Sequence, residues 1–191
     1  MNTSLPRGGS SGQGDAGERQ SGCSAEPIRT RRLDLLALDV AHAEEMARVL
    51  EDPALHTFIG GEPLSAGELR ARYARLVAGS PDPAVTWCNW VLLVREEGRL
   101  AGTVQATVEG EVAEVAWVVG TGRQGRGIAT EAARALVGRL GRWGVRRVLA
   151  HVHPDHAASA AVAAAAGLSP TGHRQDGEVR WALELPPGAP A

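Results

Sequence analysis

Apolar residues recur along this chain at two spacings, every second residue in some stretches and every third or fourth in others, and the switch between them outlines the elements. Residues 32–38 read as a strand. Asp39 then caps a helix in which Val40, Ala43, Met46, Ala47 and Leu50 follow helical spacing, and Asp52-Pro53 ends it. A second helix opens on Ser65-Ala66-Gly67-Glu68, the pattern of a capping box, with Leu64 and Leu69 spaced as a hydrophobic staple; it runs through Tyr73, Leu76 and Val77 to Gly79. Residues 87–94 and 100–108 are predicted strands joined by a tight turn at Glu96-Glu97-Gly98, and 112–119 adds a third antiparallel strand. The next helix reaches Leu140 and buries Ala132, Ala133, Leu136 and Val137. A strand at 145–152, an alanine-rich helix at 157–166 with Gly167 as C-cap, and a hairpin turned by Asp176-Gly177 between strands near His173 and Trp181 complete the series.

This order predicts one α/β (α+β) domain: a mixed, mostly antiparallel sheet of about six or seven strands flanked by about four helices. Strands 112–119 and 145–152, with a helix between them, make a right-handed parallel crossover. No internal repeat is present. Residues 1–27 are Gly, Ser, Gln and charge with almost no apolar content, too little to offset ordering entropy, and are expected to be a disordered tail. Proline-rich residues 186–191 form a second tail, which leaves 28–185 as the domain.

Composition narrows the class. With 191 residues, 43% apolar content and a net charge of −2, the chain is an ordinary globule with no excess charge to attract nucleic acid or a membrane surface, and neither partner is expected. Its basic residues are all arginine, which removes any lysine nucleophile or Schiff base. Cys23 and Cys88 do not make a disulfide framework. No stretch approaches the roughly 18 apolar residues of a membrane span, and no basic-then-apolar signal opens the chain, so a cytoplasmic protein is expected. The oligomeric state is open, a homodimer included.

The most informative stretch is Gln124-Gly125-Arg126-Gly127-Ile128-Ala129, between the strand at 112–119 and a helix that continues Thr130-Glu131-Ala132-Ala133. Strand, glycine turn and helix is a local design for binding phosphate. Free N–H groups at a helix start point outward, the helix dipole favours negative charge there, and glycines let an anion approach the backbone.

Gln124 to Ala129 fits Q/R-x-x-G-x-G/A, Thr30-Arg31-Arg32-Leu33 looks like T-x-R-L, and His153-Pro154-Asp155-His156-Ala157-Ala158-Ser159 with Ala166-Gly167-Leu168 looks like P-x-N-x-x-S and L-G-F. With these elements in this order, residues 28–185 resemble the GCN5-related N-acetyltransferase (GNAT) superfamily, in the branch that includes ribosomal-protein N-terminal acetyltransferases. The resemblance implies a donor, acetyl-CoA, with its pyrophosphate on the amides of Gln124 through Thr130 and Arg126 adding charge. It implies a pantetheine arm in a splay between strands 112–119 and 145–152, and a thioester carbonyl facing N–H groups near Trp117, Val118 and Val119. His156 stands where the family has an asparagine. The family's tyrosine acid is missing, since the one tyrosine is Tyr73. Ser159 matches a serine that some relatives use instead; alternatively it is a helix residue beside the coenzyme with no chemical role. The implied acceptor is a primary amine, either a small molecule or a peptide N-terminus, with Phe58 (in the loop Phe58-Ile59-Gly60-Gly61), Asn89 and Trp90 as candidate walls of its cavity.

Aminolysis of a thioester needs a neutral amine, a stabilised oxyanion and a protonated leaving sulfur. Period-two alternation puts Val112, Glu114, Ala116 and Val118 on one face, so Glu114 is the candidate base, set against its reading as a salt-bridged strand glutamate. His151 and His153 on the neighbouring strand could relay a proton. His151-Val152-His153-Pro154-Asp155-His156 also spells H-x-H-x-D-H, the zinc signature of metallo-β-lactamase-type hydrolases. That fold needs further ligands downstream, where only His173 remains, and no metal is expected. A module that binds CoA without catalysis is the third reading.

Overall fold

The computed structural model of the protein describes residues 25–186; of the tails expected at 1–27 and 186–191, residues 1–24 and 187–191, with Cys23, lie outside the described residues. Eight strands form one sheet in the order β1-β2-β3-β4-β5-β6-β8-β7. The strands are β1 Ile28–Arg29, β2 Leu33–Ala37, β3 Val85–Val94, β4 Arg99–Glu109, β5 Val112–Val119, β6 Arg147–Val152, β7 Ser169–Gln175 and β8 Glu178–Glu184. The helices are α1 Ala43–Val49, α2 Pro53–Ile59, α3 Ala66–Ala78, α4 Ile128–Arg142 and α5 Ala157–Ala165. All strand pairs are antiparallel except β5 with β6, which α4 connects.

Local chemistry explains most boundaries. Ser65 and Glu68 form the capping box at α3, Ser65 N–H donating to Glu68 Oε2 at 2.9 Å and Glu68 N–H to Ser65 Oγ at 3.3 Å. Asp176 (φ 51°) and Gly177 (φ 86°) both take the left-handed region that a two-residue hairpin turn requires, between β7 and β8. One boundary differs from expectation. Asp52-Pro53 was expected to end the first helix, yet Asp52 accepts from Ala54 N–H at 2.9 Å and Pro53 occupies the first turn, so the pair starts α2. The predicted loop at 58–61 is therefore in part helix. The described chain also begins earlier than the expected domain boundary: the Glu26 carbonyl accepts from Trp90 Nε1 at 3.0 Å, and Glu26 Oε2 is 3.0 Å from Arg139.

The sheet is covered on both faces. The larger core lies under α4 and α5, with Leu33, Leu92, Val104 and Val115 against Ile128, Leu136 and Leu140. A smaller one holds Val91 and Leu100 against Met46, Leu69 and Tyr73 of α1 and α3. Core packing thus fixes α4 against the sheet and suspends α1 and α3 over its other side. Among the described residues, no helix is long and apolar enough to cross a membrane.

The feature that makes a site is a wedge. β5 and β6 pair only through Val112↔Arg147, Ala113↔Val148 and Glu114↔Leu149. Beyond that, β5 stays on β4 as far as Val119↔Gly102, and β6 stays on β8 as far as Val152↔Val179. Each strand follows its outer neighbour, and the two part. Gly102 permits the close approach on the β4 side, because a Cβ there would meet the Val118 carbonyl oxygen at 2.0 Å.

Candidate active site

The wedge opens into a cleft of about 480 Å³, within the range of small-ligand sites. Trp117, Val118 and Val119 of β5 form one wall, and Val152 with His153 the other. Ser159 and Val162 of α5 line its depth, and Leu55 and Phe58 of α2 close it from the side. At its far end are Gln124, Gly125, Gly127, Ile128, Ala129 and Thr130, the start of α4.

That start is built to meet an anion. The first helical bond of α4 is Glu131 N–H to Gly127 C=O at 3.0 Å, so the amides of residues 125–130 have no acceptor in the preceding turn, whereas Gln124 N–H already donates to the Thr121 carbonyl at 3.2 Å. No side chain caps this end, in contrast to the starts of α2 and α3. Gly125 and Gly127 sit at φ 72° and 73°, which turns successive N–H groups to one side, and a Cβ on Gly125 would meet nothing within 4 Å. The turn is anchored from three directions. Gln124 Nε2 donates to the Val119 carbonyl at 3.0 Å, fixing the turn to the end of β5. Arg32 Nη1 donates to the Arg126 carbonyl at 2.9 Å. Glu131 accepts from Thr30 Oγ1, Arg32 N–H and Arg32 Nε, each at 2.7 Å. Burial pushes the Glu131 carboxyl up, but these bonds outweigh it and hold it below the usual range. The Thr30–Leu33 opening and the glycine turn, separate in sequence, are thus one structure.

Arg126 departs from expectation. Its guanidinium donates to Glu97 Oε1 at 2.8 Å, Arg123 also pairs with Glu97, and Arg126 is outside the cleft lining. The β3–β4 turn holds this side chain, because the hairpin carries the Glu97 carboxylate to the outer edge of the glycine turn.

Within the cleft, Trp117 Nε1 donates to Ser159 Oγ at 3.1 Å, with Trp117 only 7% and Ser159 5% exposed. An indole N–H can only donate, so the serine oxygen accepts and its own proton remains to be given elsewhere. Phe58 stacks on His156 with centroids 4.2 Å apart and tilts against His153 at 5.6 Å, closing the mouth between α2 and the β6–α5 turn. Burial, helped by the neighbouring His153, keeps the His156 pKa below that of an ordinary imidazole. Tyr73 lies in the smaller core away from the cleft, its hydroxyl pushed up to about 12 by burial.

Glu114 is at the apex of the wedge, on the sheet face opposite Trp117, and its side chain is 56% exposed. His151 Nδ1 lies 3.3 Å from Glu114 Oε1, and Arg180 Nε donates to His151 Nε2 at 3.3 Å. The His151 hydrogen bond first, and the Arg180 charge behind it, hold the Glu114 carboxyl below its ordinary range against the opposing effect of burial. Sequence reasoning singled out Glu114 and His151 but missed Arg180, whose place depends on the β6–β8 register His151↔Arg180. The same geometry disposes the H-x-H-x-D-H letters differently from a zinc site: one His151 nitrogen faces a guanidinium, His153 Nδ1 accepts from Asp155 N–H at 3.2 Å, and His156 stacks on Phe58.

Of the three expected acceptor-cavity residues, Phe58 lines the cleft. Asn89 falls in register with Gln105, and Gln105 with Ala116, on the face that carries Glu114. Trp90 is a correction. It points into the larger core, is 0% exposed and stacks near Trp143 at 6.2 Å, so it cannot touch an acceptor.

No curated protein matches the sequence. Among solved structures, a RimL ribosomal L7/L12 alpha-N-protein acetyltransferase in complex with coenzyme A superposes with a TM-score of 0.71 at 20% identity, covering 84% of this chain and 98% of that one. A ribosomal-protein-S5-alanine acetyltransferase from Vibrio fischeri gives 0.70 at 16% identity over 86% and 99%. The microcin C7 self-immunity acetyltransferase MccE, in complex with acetyl-CoA and AMP, gives 0.68 at 17% over 82% and 94%. These likenesses are of fold. The acetyltransferase (GNAT) domain family matches residues 32–169, from the arginine that grips the glycine turn to the start of β7, and the chain belongs to that family.

Proposed function

We propose that this protein transfers the acetyl group of acetyl-CoA to a primary amine by direct attack. The observation that carries the reading is the wedge between β5 and β6 opening onto the uncapped, glycine-turned start of α4. A diphosphate needs several convergent donors, and the amides of 125–130 supply them with the helix dipole behind them. The cleft between Val118 and His153 suits an extended pantetheine arm, with Phe58 closing over it. Acetyl-CoA brings an acyl group already activated as a thioester.

This chain's own residues would do the rest. Past Glu114, alternate N–H groups on the β6 side of β5 have no strand to pair with, and those near Trp117 to Val119 can stabilise developing charge on the acetyl oxygen. Ser159, its oxygen already taken by Trp117, directs its proton into the cleft and can donate to the departing sulfur. Glu114 stays ionised and can accept the proton of the amine through water from the apex. A peptide N-terminus is the acceptor to try first, since two relatives of this fold are described as acting on ribosomal proteins. Small amines remain the other arm of the substrate panel. The reading sets the reaction in the cytoplasm.

The test is thiol release from acetyl-CoA against peptides and small amines, with Glu114→Gln and Ser159→Ala beside the parent. Amine-dependent release that falls about tenfold or more in either variant supports these assignments. Full activity in both variants removes the assignments and leaves acetyl transfer standing. CoA binding without release across the panel would favour a non-catalytic CoA-binding module.

A further inference from the structure

On the sheet face opposite Trp117, four side chains from four strands meet in a file that crosses the apex of the wedge. Gln175 Oε1 of β7 accepts from Arg180 Nη2 of β8 at 3.2 Å. Arg180 Nε donates to His151 Nε2 of β6 at 3.3 Å, and His151 Nδ1 is 3.3 Å from Glu114 Oε1 of β5. The tautomer follows from the arginine. A guanidinium nitrogen always carries its hydrogen, so His151 Nε2 must present its lone pair, and the single imidazole proton sits on Nδ1, facing Glu114. His151 is nearly enclosed, at 10% side-chain exposure, between Glu114 and Arg180. Both of its nitrogens are thus committed to neighbours.

We propose that Arg180 and His151 are positioning residues: Arg180 fixes the tautomer of His151, and His151 fixes the carboxylate of Glu114 at the point where β5 and β6 part. This rests on the acetyl-transfer reading for its kinetic consequence but not for its geometry. The arrangement assigns a division of labour within the carboxylate. Oε1 is occupied by the imidazole N–H, and Oε2 is left to receive a proton from the amine or from a bridging water. The neighbours support it. Glu114 is in register with Thr107 on β4 and Leu149 on β6, neither of which titrates, so the charged or titratable groups facing it are His151 from β6 and Arg180 from β8. His151 in turn is faced by Glu114 on one side and Arg180 on the other. A file of this kind serves a base better than a lone exposed carboxylate would, because an unrestrained glutamate samples many rotamers and a long side chain loses entropy when it is ordered.

Two measurements on the full chain test this. The first needs no activity: the carboxyl of Glu114, followed by carbon-13 NMR, should titrate below the ordinary glutamate value of about 4.3, and its midpoint should rise in His151→Leu and in Arg180→Gln. His151→Gln, which keeps a planar donor and acceptor, should restore much of the shift. Identical midpoints in the parent, His151→Leu and Arg180→Gln would overturn the proposal. The second is a kinetic cycle at saturating acetyl-CoA. His151→Leu should lower kcat about tenfold or more, leave the KM for acetyl-CoA unchanged, and cost nothing further in the Glu114→Gln background. If the losses multiply instead, His151 acts independently of Glu114 and the positioning role is wrong. If Glu114→Gln alone costs nothing, the proposal fails while acetyl transfer stands; if the parent releases no thiol with any amine, it is the acetyl-transfer reading that fails, and the titration still decides the geometry.

Discussion

Replacing Ser159 by alanine takes away the acceptor of the Trp117 indole N–H, a 3.1 Å hydrogen bond between two buried side chains. The lost bond is worth about 1 kcal/mol net, but an indole N–H left buried without a partner costs about 1–3 kcal/mol. Trp117→Phe removes the donor instead and leaves the hydroxyl oxygen unpaired, with an additional loss of packing. The double variant lacks both polar groups, so the orphan penalty disappears. It should therefore be more stable than the sum of the single losses predicts, by about 1–2 kcal/mol. For a domain of this size that is a difference of about 2–8 °C in Tm. Urea unfolding of the parent and the three variants, followed by far-ultraviolet circular dichroism, measures the coupling. Additivity within about 0.5 kcal/mol would mean that the bond does not tie the two side chains together, and the reason given for the direction of the Ser159 proton would fall with it.

Other consequences follow from the same geometry. Gly125→Ala meets no protein atom but must hold φ 72°, so it should cost only about 1 kcal/mol of stability while weakening CoA binding by more than that; calorimetric titration beside a thermal melt separates the two. Because Glu131 has its folded pKa below the unfolded one, its contribution is present above the unfolded value of about 4.3 and is lost as pH falls through the folded one. The stability gap between the parent and Glu131→Gln should therefore narrow progressively below about pH 5, as read from urea midpoints across pH. Phe58→Ala uncovers His156 and should raise the pKa of that imidazole toward the ordinary value, seen by proton NMR, since burial is the main cause of its depression.

The parts of this protein that were legible in its sequence are those decided locally. The Ser65–Glu68 box, the Asp176-Gly177 turn and the glycine turn at 124–129 each carry their geometry in a few adjacent residues. Asp52-Pro53 shows the limit of such signals, because aspartate before proline reads equally as the end of one helix and the start of another. Trp90 was misplaced for a different reason. β3 is covered on both faces where Val91 and Leu92 are both buried, so apolar alternation no longer tells the larger core from the smaller one. The contacts that complete the site are long-range. Thr30 and Arg32 reach Glu131 about a hundred positions away, Glu97 takes the arginines of the turn, and Arg180 meets His151 only through the β6–β8 register. No periodicity within a single segment encodes those meetings. They appear once the sheet order is known.

The central claim is that the wedge and the glycine turn form one donor site. A crystal structure of the protein grown with CoA tests it most directly. The account predicts diphosphate oxygens on the amides between Gly125 and Thr130, and a pantetheine arm running between Val118 and His153 toward Ser159. CoA bound elsewhere, or a cleft that stays empty at saturating CoA, would contradict it.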